Sequence, residues 1–454
     1  MSAFPKPSGP DVHPVNPRHP VRRAVAAGAL AAALGLAACT PAPAPDGAPS
    51  ESSPVPTSTA GAGSAADCPA LAATVPSASP RGGTITPSAG DAPALVRSDG
   101  GTSAVADADI TRSGGSPAAS APAAGAASGA AVEVTGGSRL SLQRSTVASS
   151  GNGTGGVSSS GTGSLVELTD DTVSTDGPSA AGVAAGDGGA VTGTNLTVST
   201  SQDGANAVAA VGAGAQISLN RSTASATGNL SAAVYSAGDV SVCGLAGTSR
   251  SAEAALVEGA NTLTSTRSTL EGGTNGARLY QGDSGGPAGG SLAVSGGSLT
   301  GRTGDAVLIE GVPATVTLSD GAGLSAGSGR LVNVTAGGSG TVNVTGTQLR
   351  GNLTAEPGSG LDLSLASNSS VSGTLTNVSV SLDTTSTVSL ESDSTAASVA
   401  GAEVSGNEIL NIAGNGHSLT YDASAPESSY LNGGTYTLAQ GGTLSPAGPG
   451  DGVP

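Results

Sequence analysis

The sequence has no tryptophan, a single phenylalanine (Phe4) and only five tyrosines among 454 residues. Globular cores of that size normally draw on many large aromatic side chains, so a wide core is excluded. Lysine is absent beyond residue 38, where 12 arginines face 32 acidic residues. Such a surface repels phosphate backbones and excludes nucleic acid as a partner. Histidine occurs three times and cysteine three times, too few for a zinc cluster. No stretch of 18 or more apolar residues marks a transmembrane helix.

What remains is Val, Leu and Ala set among 73 glycines and abundant Ser and Thr. Small and branched side chains fill a narrow core, stacked along an axis and buried coil upon coil. The pattern fits. Between Ser251 and Gly373 an apolar start recurs near residues 255, 277, 306, 331 and 353, in steps of 22 to 29 residues. Each start is followed by a Gly-rich corner and an alternating run such as Thr315-Val316-Thr317-Leu318. Earlier starts fall near 94, 131, 157, 182, 207 and 233, and one more near 375. Strand-built repeats of this period predict an all-β chain, a β-solenoid of about twelve coils. At ~4.8 Å per coil it would be ~58 Å long. Alternation points Val132, Val134, Leu140 and Leu142 inward, with Glu133, Ser141 and Gln143 outward.

The ends read differently. Arg18, Arg22 and Arg23 precede an uncharged apolar run, Ala24–Ala38, which closes Leu36-Ala37-Ala38-Cys39. This resembles the bacterial lipobox, which implies a signal peptide over 1–38 and a lipid on Cys39 that anchors the chain to the extracytoplasmic face of a membrane. Arg22-Arg23 leaves Sec and twin-arginine export both open. Residues 39–67, rich in Pro, Ser and Ala, form a disordered tether after the lipidated Cys, reaching ~85 Å if extended as polyproline. The solenoid is expected over 68–403 with a loop insertion about 113–130, a C-terminal β cap over 404–446 and a disordered tail over 447–454. Asn432-Gly433-Gly434 reads as a hairpin turn in that cap. Cys68 and Cys243 are the remaining thiols of an exported chain, a setting that favours disulfides. Bridging them requires residues 69–80 to run back along the outside of the solenoid.

Phrases along the chain resemble those of bacterial right-handed parallel β-helix repeat surface proteins, adhesin-like and mostly uncharacterised. They include AVYSAGDVSV (233–242), ALVEGANTLT (255–264), LYQGDSGG (279–286), VSLDTTSTVSL (380–390), NIAGNGHSLTYDAS (411–424) and LNGGTYTLAQGGTLSP (431–446). The resemblance covers about residues 94–446 and implies a right-handed parallel β-helix of the pectin lyase-like kind at the cell surface. It implies no catalytic residues. The family often has Trp where this chain has Val388, and a Tyr near His417; both departures touch packing.

Gly282-Asp283-Ser284-Gly285-Gly286-Pro287 matches the nucleophile segment of trypsin-like proteases. That chemistry needs a histidine base upstream. The upstream histidines, His13 and His19, lie in the segment removed on export, so the motif reads as a chance match. His417 stands alone. Asp170-Asp171 with Glu167 and Asp176, or Asp187, could offer oxygens to calcium, but the tandem nonapeptides of calcium solenoids are missing. Arg267, Arg278 and Arg302, near Glu258 and Glu310, suggest an outward ladder or cross-coil ion pairs. Thr-x-Thr pairs (262/264, 315/317, 435/437) do not fall at one fixed place in every coil, as an ice-binding array would need. The expectation is a non-enzymatic surface display, adhesion or envelope-structural module without cofactor or metal. Its partners are the membrane through Cys39 and glycans or host and cell-surface ligands. The alternative is a polysaccharide lyase or hydrolase on the same fold.

Overall fold

A computed structural model describes residues 68–75, 82–87, 92–114, 129–282 and 286–448. Cys39, the tether, most of the insertion loop and residues 449–454 lie outside the described residues.

One coil shows the plan. Val132–Val134, Arg139–Gln143 and Thr146–Ser150 are three short strands, and each pairs in parallel with its counterpart one coil on. Repetition gives three ladders and a parallel β-helix of about 14 turns. In two coils the first and second strands run on without a corner, as Val208–Asn220 and Val234–Cys243. Inward positions are mainly apolar, with buried serines such as Ser159 and Ser265 as exceptions: Val132, Val134, Leu140 and Leu142 are fully buried. They stack on Val157, Val166 and Leu168 of the next coil, forming one continuous core.

The twelve starts read from sequence all fall on or beside first strands, from Leu95–Arg97 to Leu375–Thr376. The count of twelve is corrected to about 14 because pairing continues past both ends. Gly83–Ile85 pairs in parallel with Ala108–Ser113, ahead of the first start. At the other end Glu408–Ala413, Leu419–Tyr421 and Thr443–Pro446 still join parallel ladders. Their coils were hidden because Tyr and charged residues interrupt the Val/Leu rhythm.

Antiparallel pairing does enter at this end, between Val404–Ser405 and Glu408–Ala413 and between Tyr436–Ala439 and Thr443–Pro446. The hairpin turn is not Asn432-Gly433-Gly434. Asn432 instead closes the 3-10 helix Pro426–Leu431 in the left-handed region, φ 50°. The turn falls at Gln440-Gly441-Gly442. Helix ends and hairpins both demand left-handed residues, so the sequence signal was shared between them. The helix sets Leu431 against the core, and Tyr421, fully buried, donates from its hydroxyl to Gly434 O at 3.0 Å.

Ser141 faces outward as expected yet is 3% exposed. It sits in register with Glu167, itself buried beneath the segment 68–75. That segment lies across the second-strand face. Cys68 forms a disulfide with Cys243, Cα to Cα 5.7 Å. Asn220, one coil back, donates to Pro69 O at 2.6 Å. Further along, the Glu167 carboxylate accepts from Thr74 N (2.7 Å), Thr74 Oγ1 (2.6 Å) and Val75 N (3.1 Å).

Candidate functional site

The acids read as calcium ligands are not brought together. Glu167 is held by the segment 68–75, Asp170 accepts from Asn195, and Asp176 accepts from Ser201 and Gln202. Asp187 adopts φ 37° at a separate corner. Asp171 turns into the corner before a third strand and caps two backbone amides, Ser145 N at 2.7 Å and Thr169 N at 2.8 Å. Among the described residues no three His, Cys, Asp or Glu gather as a metal site.

Burial pushes the Asp171 carboxyl up to about 7, against the opposing pull of those two amides. Its neighbours Asp170 and Arg144 act in opposite directions. The folded chain therefore keeps a proton that the unfolded chain releases near the ordinary value of 3.8. The sign follows: this contribution is fully present below about pH 4 and is lost as pH rises through about 7. Thermal melts between about pH 5 and pH 8 should fall by a few degrees as pH rises, and Asp171→Asn should flatten that slope.

The three arginines read as a ladder lie at three different places. Arg267 follows a second strand and points Nη2 at Cys243 Sγ, Arg278 is in the first strand Ala277–Tyr280, and Arg302 follows a third strand to pair with Glu271. The coil between Arg278 and its partner strand is lengthened by residues 281–290, so a 24-residue step falls short of one turn. Arg278 bridges to Glu310 one coil on, Nε to Oε2 2.7 Å.

Around Arg278 the first-strand face carries the densest chemistry. Tyr235, Leu256 and Arg278 share one outward column; Tyr280 and Glu310 follow Glu258 in the next. Both phenols converge on Glu258, which is 6% exposed: Tyr280 donates to Oε2 at 3.1 Å and Tyr235 donates to the same oxygen. The Arg278 guanidinium lies 4.6 Å from the centroid of the Tyr280 ring. Burial, reinforced by Glu258, raises both phenols, Tyr280 to about 12, so their protons stay in place.

These groups line a cleft of about 870 Å³ together with Gly282, Gly286 and Pro287. Those three belong to the protease-like motif, whose Asp283, Ser284 and Gly285 fall outside the described residues. A Cβ at Gly282 would stand 2.1 Å from the Glu258 carboxyl carbon, so any larger residue there would displace that carboxylate. His417 sits in the terminal coils, Nδ1 3.8 Å from Asp393.

A second concavity, about 1100 Å³, runs along the third-strand face. Its floor is one column in register, Thr111, Ala148, Ser174, Ser199 and Ser225. Among the described residues the hydroxyls of Thr111, Ser174, Ser199 and Ser225 have no hydrogen-bond partner within the protein. Thr146, Thr172, Thr197 and Thr223 form the parallel column beside it. A fixed hydroxyl array therefore exists, on a face other than that of the Thr-x-Thr pairs at 262 and 315. The readable signal was the phrase repeated as STVAS, DTVST, LTVST and STASA at 145, 171, 196 and 222.

No protein-family model matches the chain, and no curated protein matches it.

Proposed function

We propose that the protein is a lipid-anchored, extracytoplasmic surface module that binds an extended polymer, a glycan or a cell-surface ligand, along its third-strand face without cleaving it. The carrying observation is the groove whose floor crosses five coils, a run of ~19 Å at ~4.8 Å per coil. Its four hydroxyls, with one gap at Ala148, are unpartnered among the described residues and suit a repeating chain of hydrogen-bonding groups. The lipobox-like segment ending at Cys39 and the acidic surface support an address outside the cytoplasm. The charged groups support binding over catalysis, because Arg278–Glu310, Arg302–Glu271 and Arg144–Asp107 are engaged in cross-coil pairs.

A carbohydrate-active enzyme is the second reading, favoured by Glu258 and Glu310 standing in one column two coils apart, ~9.6 Å at the backbone. The test is a panel of polysaccharides and matrix ligands scored for binding and for bond cleavage. Binding without cleavage, weakened in Ser199→Lys, is expected. Cleavage abolished by Glu258→Gln would establish the enzyme instead, and binding untouched by Ser199→Lys would remove the groove from consideration.

A further inference from the structure

The two sulfurs of the Cys68–Cys243 disulfide have unlike surroundings. Cys243 ends the second strand Val234–Cys243 and is 6% exposed, whereas Cys68 is half-buried at the start of the segment 68–75. The corner after the second strand passes through Arg221, Gly244 and Arg267 in three consecutive coils, all in the left-handed region. Gly244 leaves its corner open for the incoming sulfur, since a Cβ there would stand 3.5 Å from Cys68 Sγ. Arg267, one coil on, directs Nη2 to Cys243 Sγ at 3.5 Å. Among the described residues neither Arg221 nor Arg267 pairs with a carboxylate. The residues in register with Cys243, Asn220 and Thr266, are neutral. The buried sulfur thus lies against a cation that a disulfide does little to satisfy and a thiolate would satisfy fully.

We propose that this disulfide is a thiol-exchange site, opened by an external dithiol with Cys243 as the leaving sulfur and Arg267 as the cation that receives it. A thiolate of the dithiol attacks Cys68 Sγ, the more exposed of the two. The Cys68–Cys243 bond breaks, and Cys243 Sγ leaves with the electron pair as a thiolate against the guanidinium. The second thiol of the reductant loses its proton to solvent and attacks its own sulfur in the mixed disulfide. That expels Cys68, which takes up a proton. Two electrons pass from the dithiol, which becomes a disulfide, to the two cysteines. A neighbouring cation stabilises a thiolate, and a better leaving thiolate speeds exchange. The side of attack has a structural consequence. The reductant joins the segment and not the solenoid, so the segment loses its covalent hold on the second-strand face in the first step. Only the contacts with Asn220 and Glu167 then keep it there, and the reductant controls how firmly that face is covered.

The experiment exposes the full oxidised chain, under native conditions, to dithiothreitol. Free thiols are alkylated and read peptide by peptide in a mass spectrometer. Arg267→Met should open at least about threefold more slowly than wild type, because the rate follows the leaving thiol's pKa. Arg267→Lys restores a cation and should recover part of the rate. Arg302→Met is the control, since Arg302 pairs with Glu271 at a different corner, and it should match wild type. With glutathione in place of the dithiol, the adduct should sit on Cys68 and the alkyl group on Cys243. In Cys68→Ser, alkylation of Cys243 against pH should show a midpoint below the ordinary thiol value of about 8.5, returning towards it when Arg267→Met is added. No glycan enters these measurements, so they stand apart from the groove. An adduct on Cys243, an unchanged rate in Arg267→Met, or a disulfide that opens only when the chain unfolds would each overturn the assignment.

Discussion

Reducing the Cys68–Cys243 disulfide should free residues 68–75 from the second-strand face and lower the unfolding midpoint by several degrees. The bond joins positions 175 residues apart, and loops above 100 residues carry a chain-entropy contribution approaching ~5 kcal/mol. That figure is an upper bound here, because a solenoid retains much of its neighbour-to-neighbour order when one contact is lost. The local consequence is sharper. Without the tie, the segment is held by Asn220 to Pro69 O and by the Glu167 carboxylate, which accepts from Thr74 and Val75. Glu167 would be returned to water, which offsets part of the loss. Melts with and without reductant, and of Cys68→Ser, measure the global term. Limited proteolysis within 68–75 measures the local one, and should speed up in both. If reduction changes neither the melt nor the cleavage rate, the segment is held by its hydrogen bonds alone. Glu167→Gln in the oxidised protein should then show the larger effect.

The repeat was legible because its physical cause is local. Every coil must place two or three apolar side chains inward at strand spacing, and Val166 and Leu168 or Val342 and Val344 announce this without reference to other coils. The cross-coil features were not legible in the same way. Tyr235, Glu258 and Tyr280 lie 23 and 22 residues apart, and only the register of those particular coils brings their oxygens together. Glu258 and Arg278 could be singled out as charged residues one coil apart, but the tyrosines carry no such flag. The path of residues 69–75 followed from the sequence only if Cys68 and Cys243 pair, as they do, but its contact with Glu167, made largely through backbone N–H groups, left no side-chain pattern to read. In the opposite direction, the protease-like hexapeptide was loud in sequence because Gly-rich corners use the same small vocabulary as that motif.

Gly228→Ala should destabilise the protein by 1–3 kcal/mol or more, the range for forcing extra atoms into closely packed structure. The cause is contact and not backbone conformation. A Cβ at Gly228 would stand 2.0 Å from Gln202 O and 2.2 Å from its carbonyl carbon, one coil away. The same approach recurs along that edge: 1.9 Å from Gly151 O at Gly177, and 2.0 Å at Gly273, Gly327 and Gly373. None of these glycines is in the left-handed region. Backbone meets backbone there because the chain turns out of the third strand directly against the coil before it, and neither partner can rotate away as a side chain could. An added methyl must lift one coil from the next. That stretches bonds such as Asn229 N to Asp203 Oδ1 (2.8 Å) and Gly204 N to Asn229 O (2.8 Å), which keep the coils in register. Because each coil is buried only by its neighbours, a gap in the middle of the stack weakens both halves. Gly360→Ala is the matched control: nothing lies within 4 Å of its Cβ position and its φ is not left-handed. Alanine there should be neutral, or stabilising by up to about 1 kcal/mol through the unfolded chain. Paired denaturation curves decide the matter. Equal midpoints for the two variants would mean that the coils have slack at this corner, and that the recurring glycine answers to something other than coil spacing.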